Sequence, residues 1–203
     1  MKMTTTTRRL AASLALALLA ACDGPLLFTE VEIPDLRLTL PPQSFPASGT
    51  GTPDQWCDPS GQTDPPCVQL TALYDLGAQV PAINEAGVTY EIRLTDLAIV
   101  LSTTPGSPSD LSGVVGARIL VGFDPGVPGS GTVIASYARA PGATPTTLAV
   151  SGNANLDLAP FLSAGLLPVR IEVTVESGMP AFDANILAGF FVRIEADWGH
   201  YLW

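Results

Sequence analysis

In "VRIEVTVE", residues 169–176, the apolar side chains Val169, Ile171, Val173 and Val175 alternate with Arg170, Glu172, Thr174 and Glu176. A period of two sends one set to each face of an extended chain, so this segment can bury half its side chains only as a β-strand. "FFVRIEADW" repeats the device: Phe190, Val192, Ile194, Ala196 and Trp198 share one face, while Arg193, Glu195 and Asp197 share the other. Both are expected as antiparallel strands with one face on a core and one in water.

"VTYEIRLTDLAIVLS" carries finer information. Tyr90, Ile92 and Leu94 keep even phase, and Leu97, Ile99 and Leu101 keep odd phase. A one-residue slip would turn every later side chain to the wrong face, so a β-bulge or bend is predicted at Thr95-Asp96. "VVGARILVGF" alternates through Val115, Ala117, Ile119, Val121 and Phe123. Weaker strand patterns occupy "VEIPDLRLTL", "CVQLTALYDL", "TVIASYA" and "TTLAVSG", with Pro41-Pro42 expected to end the first.

Proline and glycine in "STTPGSPSDLSG", "DPGVPGSG" and "RAPGATPTT" mark loops. A single short helix is predicted in "LAPFLSAGLL", with Pro160 in its first turn and Gly165 near its stop. Many short strands separated by turn clusters, with almost no helical period, predict an all-β fold: a single antiparallel β-sandwich of immunoglobulin-like architecture in preference to a barrel. The cysteine and tryptophan framework of antibody domains is not visible, so the expectation concerns architecture alone.

The start of the chain obeys different rules. Lys2, Arg8 and Arg9 precede an apolar run from Leu10 to Ala21 that only Ser13 interrupts, the layout of a secretory signal peptide. Its twelve residues fall short of the roughly 20 that a membrane-spanning helix needs. The run closes on Leu19-Ala20-Ala21-Cys22, which resembles the lipobox of bacterial lipoproteins. The resemblance implies cleavage before Cys22 and acylation of that cysteine, and buried acyl chains contribute about 0.8 kcal/mol per methylene toward holding a protein at a membrane. Asp23 resembles the signal that keeps enterobacterial members at the inner membrane. The Arg8-Arg9 pair invites a twin-arginine reading, but Ala11 stands where that signal usually has phenylalanine, so general secretion is expected. The expected organisation is a leader at 1–21, a lipidated tether at 22–29 and one domain at 30–203.

All lysine leaves with the leader, so the mature domain sets arginines alone against nineteen acidic residues and is more negative than the −10 of the whole chain. Nucleic acid, which is bound by clustered Lys and Arg, is therefore not an expected partner. The acids are scattered, which fits a solvated surface better than a cation site. Cys57 and Cys67, ten positions apart in a turn-rich loop, are expected to form a disulfide in an oxidising compartment, since a metal site would need further ligands.

His200 is the only histidine. No G-x-S-x-G elbow is present to give it a nucleophile, so it is read as packing locally and no catalytic residue is assigned. A carboxylate pair could cleave glycosides, but nothing in the sequence selects one pair. Asp58, Ser60, Thr63 and Asp64 do not follow the order of an EF-hand calcium loop. No zinc pattern, phosphate-binding loop or nucleotide fingerprint occurs, and neither metal nor cofactor is expected.

Trp198, Tyr201 and Trp203 form a candidate recognition surface, because rings with a polar edge suit sugars and partner proteins. The plainer account has them tucked over one end of the core. The expected function is that of a lipid-anchored envelope protein with a non-enzymatic structural or binding role, held at the membrane through Cys22 and facing another envelope protein or a glycan. The alternative is a glycan-binding or glycan-cleaving module on the same fold. As a whole the mature domain is similar in style to uncharacterised β-sandwich envelope lipoproteins, a likeness that brings no functional residues with it.

Overall fold

The computed structural model describes residues 28–52, 55–58, 64–102, 106–125, 127 and 129–197. Among the described residues eight strands follow one another: β1 (Phe28–Phe45), β2 (Cys67–Asp75), β3 (Val88–Leu101), β4 (Val114–Val121), β5 (Thr132–Ala138), β6 (Thr147–Gly152), β7 (Leu166–Val175) and β8 (Phe182–Asp197). Their order is β1-β8-β3-β6-β5-β4-β7-β2, and every neighbouring pair is antiparallel. The sheet folds over at β5 and β6, which share only the pairs Ala135↔Gly152 and Ser136↔Ser151. One layer is then β1-β8-β3-β6 and the other β2-β7-β4-β5. The antiparallel sandwich expected from the alternation is present, and its winding, with successive strands distributed over two four-stranded layers, is that of an eight-stranded jelly roll.

The alternation explains each layer. Phe182, Ala184, Ile186, Ala188, Phe190, Val192, Ile194 and Ala196 of β8 all face the core, as do Val169, Ile171, Val173 and Val175 of β7. The phase change in β3 falls where the pattern places it: Leu94 pairs with Phe190 and Asp96 with Gly189, leaving Thr95 as the extra residue. Gly189 is needed at this point, since a Cβ there would lie 2.6 Å from Thr95 Oγ1 and 2.8 Å from Asp96 Oδ2. Arg37 crosses the same spot and donates to Asp96 over 2.5 Å.

Two expectations about local structure are corrected. Pro41-Pro42 does not end β1; register shifts between Ile33 and Leu36 and between Leu40 and Gln43 absorb the prolines, and the strand continues to Phe45. An edge strand tolerates this because its outer N–H groups have no ladder partner to lose. "LAPFLSAGLL" forms only a single 3-10 turn at Ala159–Phe161 before β7 begins. Among the described residues a single short α-helix, α1 (Leu76–Gln79), follows β2, where the Asp75 carboxylate accepts from the Ala78 N–H at 2.8 Å. A 3-10 turn at Pro81–Asn84 follows it, and Leu76, Val80 and Ile83 are buried there against one end of the core.

Aromatic rings join strands and layers. Phe45 stacks on its register partner Phe182 at 4.7 Å, and Tyr74 of β2 meets Phe190 of the other layer edge-on at 5.5 Å. Tyr74 Oη is buried without a hydrogen-bond partner among the described residues, and burial raises the phenol above its ordinary value of about 10. Tyr74→Phe keeps the ring and removes the orphaned hydroxyl, so denaturant melts at pH 7 are expected to show a gain of about 1 kcal/mol. The folded-state value is the higher one. Stability linked to the neutral phenol is thus complete below about pH 10 and lost as pH rises beyond it, and the variant should lack that alkaline loss. A destabilised variant would mean that the hydroxyl is bonded.

Candidate functional site

The outward face of β7 departs from the expected half-solvated strand. Arg170 and Glu172 alternate with the core residues, yet each is only 2% exposed. The cause lies in two connections that fold over the outer face of the β2-β7-β4 layer. From the β1–β2 connection, the Cys57–Cys67 bridge lies beside Glu172, with the Cys57 N–H donating to the Cys67 carbonyl at 3.0 Å, while Trp56 bridges to Val68 along the free edge of β2 and packs into the core. From the β4–β5 connection, the carbonyls of Asp124 and Val127 accept from Arg170 at 2.8 and 3.4 Å. The Phe123 ring lies 4.5 Å from the guanidinium carbon, and a cation over an aromatic face is attracted to it. Leu120, the register partner of Arg170 on β4, is buried beside it.

Cys57 and Cys67 are disulfide-bonded, as their spacing suggested, with Cα atoms 5.4 Å apart. The bridge lies against Glu172, whose carboxylate and the two sulfurs fall within 4.8 Å of one another. Because both sulfurs are spent on each other, neither is a thiolate ligand. Glu172 Oε2 accepts from Arg118 Nη2 at 2.5 Å, and Oε1 has no hydrogen-bond partner among the described residues. Closing so short a loop stabilises the fold by roughly 2 to 3 kcal/mol in the chain-entropy model. The double variant Cys57→Ser, Cys67→Ser is expected to lose that amount in thermal or urea melts, and native protein should show no free thiol at these positions before reduction. Free thiols in the oxidised protein would contradict the pairing.

Beside these groups, between the two covering connections, a cleft of about 390 Å³ opens. Ser44, Gln55, Gln69, Thr71, Pro125 and Arg170 line it. The two hydroxyls and two primary amides can both donate to and accept from the hydroxyls of a polar ligand, beside the buried Arg170 guanidinium. Among the described residues the lining holds neither a nucleophile paired with a base nor two opposed carboxyl groups.

Carboxylates gather elsewhere. On the outer face of β1, β8 and β3, Arg193 Nε lies 2.8 Å from Glu30 and 3.5 Å from Glu32, with Glu91 at 3.7 Å from Nη1. A shallower cleft of about 290 Å³ includes Asp110 and Glu176, the latter 2.6 Å from Arg139. Hydrogen bonds from the Ser112 hydroxyl and then its backbone N–H hold the Asp110 carboxyl below its ordinary value. That is opposite to the raised value a glycosidic general acid requires. Of the EF-hand-like residues, Asp58 has an interaction partner and Asp64 is exposed, while Ser60 and Thr63 lie outside the described residues. Cys22, Trp198, His200, Tyr201 and Trp203 lie outside them too.

No family model matches the chain, and no curated protein matches it. Among solved structures it is similar to a chain of the Nora virus structure, at 14% identity and a TM-score of 0.38 over 85% of this chain and 62% of that one. It is also similar to a chain of infectious bursal disease virus strain Gx, at 14% identity and a TM-score of 0.25 over 89% and 34% of the two chains. A third likeness is to maize chlorotic mottle virus, at 13% identity and a TM-score of 0.27 over 84% and 95%. This chain spans about three fifths of the first neighbour's length and one third of the second's. Likenesses at these scores carry no argument about function.

Proposed function

We propose that this chain is an acyl-anchored lipoprotein of the bacterial cell envelope whose jelly-roll domain binds an envelope component without transforming it. The observation that carries the reading is Leu19-Ala20-Ala21-Cys22 behind a basic and apolar leader, six positions ahead of the first strand. Acylated Cys22 then serves as an anchor without any membrane-spanning helix. Among the described residues no helix is long and apolar enough to cross a membrane. The short tether holds the start of β1 near the bilayer, and Ser44, at the other end of that strand, carries the cleft away from it. Detergent-phase partitioning of membranes from cells making the full chain tests the anchor. Wild type should enter the detergent phase, and Cys22→Ala should remain wholly in the aqueous phase. Detergent partitioning of Cys22→Ala equal to wild type would overturn the reading.

Glycan binding is the second reading, and the hydroxyl, amide and guanidinium lining of the cleft favours it. Peptidoglycan or polysaccharide fragments that raise the thermal midpoint of wild type, but not of Thr71→Val, would support it. An unchanged midpoint across acidic and neutral glycans would remove it.

A further inference from the structure

We infer that Cys57, Cys67 and Glu172 form a redox-gated metal site: once a dithiol reduces the bridge, the two thiolates and the Glu172 carboxylate hold a thiophilic divalent ion of the zinc class. The inference goes beyond the anchor and the cleft and depends on neither. Its basis is geometry. On β2 and β7, Cys67 pairs with Thr174 and Gln69 with Glu172, so Cys67 and Glu172 are diagonal neighbours on the outer face of two hydrogen-bonded strands. Cys57 reaches them from the β1–β2 connection, and its place does not depend on the sulfur bond alone. Its N–H donates to the Cys67 carbonyl at 3.0 Å, and the buried Trp56 beside it bridges to Val68. None of these contacts involves sulfur, so reduction leaves Cys57 beside Cys67. The two sulfurs and a Glu172 oxygen lie within 4.8 Å of one another. Tetrahedral zinc, with Zn–S of about 2.3 Å and Zn–O of about 2.1 Å, sets its ligand atoms about 3.4 to 3.8 Å apart. Once the sulfurs part, side-chain rotation reaches that spacing without moving a strand.

Glu172 supplies a second, independent observation. Its side chain is 1% exposed, Arg118 holds Oε2 at 2.5 Å, and Oε1 is buried without a hydrogen-bond partner among the described residues. A buried carboxylate oxygen left without a partner is costly, and a carboxylate oxygen is an ordinary zinc ligand. Arg118 orients the carboxylate, as the outer partners of metal ligands do. Charge balances in both states. In the bridged form the Arg118 cation offsets Glu172, and in the metal form two thiolates offset the divalent ion while the Arg118–Glu172 pair is unchanged. The steps balance as well. The disulfide takes two electrons and two protons from the dithiol, which leaves as its own disulfide, and the ion then displaces the two thiol protons to solvent. Cys57 and Cys67 are only partly buried, so a small dithiol has access to them. Either cross-link closes the same turn-rich loop, and the ion replaces the bridge as its staple.

The full chain carrying Cys22→Ala, whose only cysteines are then Cys57 and Cys67, tests the inference with cobalt(II) and zinc as the probes. After reduction by a phosphine, one equivalent of cobalt should give thiolate-to-metal charge-transfer absorption and the strong visible bands of a tetrahedral ion, and zinc should abolish them. Unreduced protein should give neither. Zinc should also restore most of the thermal midpoint that reduction removes, and a chelator should reverse that gain while leaving the midpoint of the bridged protein unchanged. Glu172→Gln should weaken cobalt binding by about tenfold or more. Reduced protein that gives no such bands, or whose midpoint zinc does not raise, overturns the inference. Equal cobalt affinity in Glu172→Gln overturns it too, because two thiols would then hold the ion without the buried carboxylate. The zinc-dependent midpoint of the unsubstituted site decides the matter even where Glu172→Gln does not fold.

Discussion

Phe190→Ala is expected to cost about 3 to 5 kcal/mol, the usual range for deleting a fully buried aromatic side chain. Phe190 is 1% exposed on β8, an inner strand of its layer, and its ring meets Tyr74 from the opposite layer. Its loss removes apolar area and leaves a void between two sheets that are each held by their own ladders, so the walls cannot collapse onto it. Urea unfolding at pH 7 should show a lower midpoint with an unchanged slope. A loss below 1 kcal/mol would mean that the layers do not meet through this ring.

The second large effect concerns the buried carboxylate of Glu172. Arg118→Met is expected to cost about 3 kcal/mol, because it leaves a charge in a dry site with no cation beside it. The estimate sits at the low end of the range for buried pairs, since the Arg118 side chain is 54% exposed and that of Glu172 only 1%. Glu172→Met in the same background should recover most of the loss, as removing both charges also removes the orphaned Oε1. The cycle should therefore show strong coupling, whereas additive losses would show that the pair contributes nothing beyond its two side chains.

Arg170 and Glu172 mark where the sequence stops being legible. Alternation reveals strands and identifies the core face, because side-chain direction in a strand depends only on parity. That is why Val169, Ile171, Val173 and Val175 of β7 lie on the core as read, and why the bulge falls at Thr95. Parity says nothing of what covers the other face. Arg170 and Glu172 read as solvated because their type and phase are those of an outward face, and their burial depends on loops distant in sequence folding back over β7. The signal within reach was the turn-rich disulfide loop itself, whose bridge at Cys67 lies beside Glu172. The winding was equally hidden, since identical alternation fits any order of strands in two layers. "LAPFLSAGLL" misled for a related reason: its proline and glycine mark a turn as readily as helix ends, and β7 needs Leu166 and Leu167 for itself.

The proposed anchor, by contrast, rests on sequence, and it would govern where the cleft acts. The measurement that tests it most directly is the intact mass of native protein extracted from membranes, with Cys22→Ala processed in parallel. The account predicts a chain beginning at Cys22, heavier by its acyl chains and two hydrogens light for the bridge between Cys57 and Cys67. An unacylated mass, with Cys22→Ala cleaved and released in the same way, would contradict it.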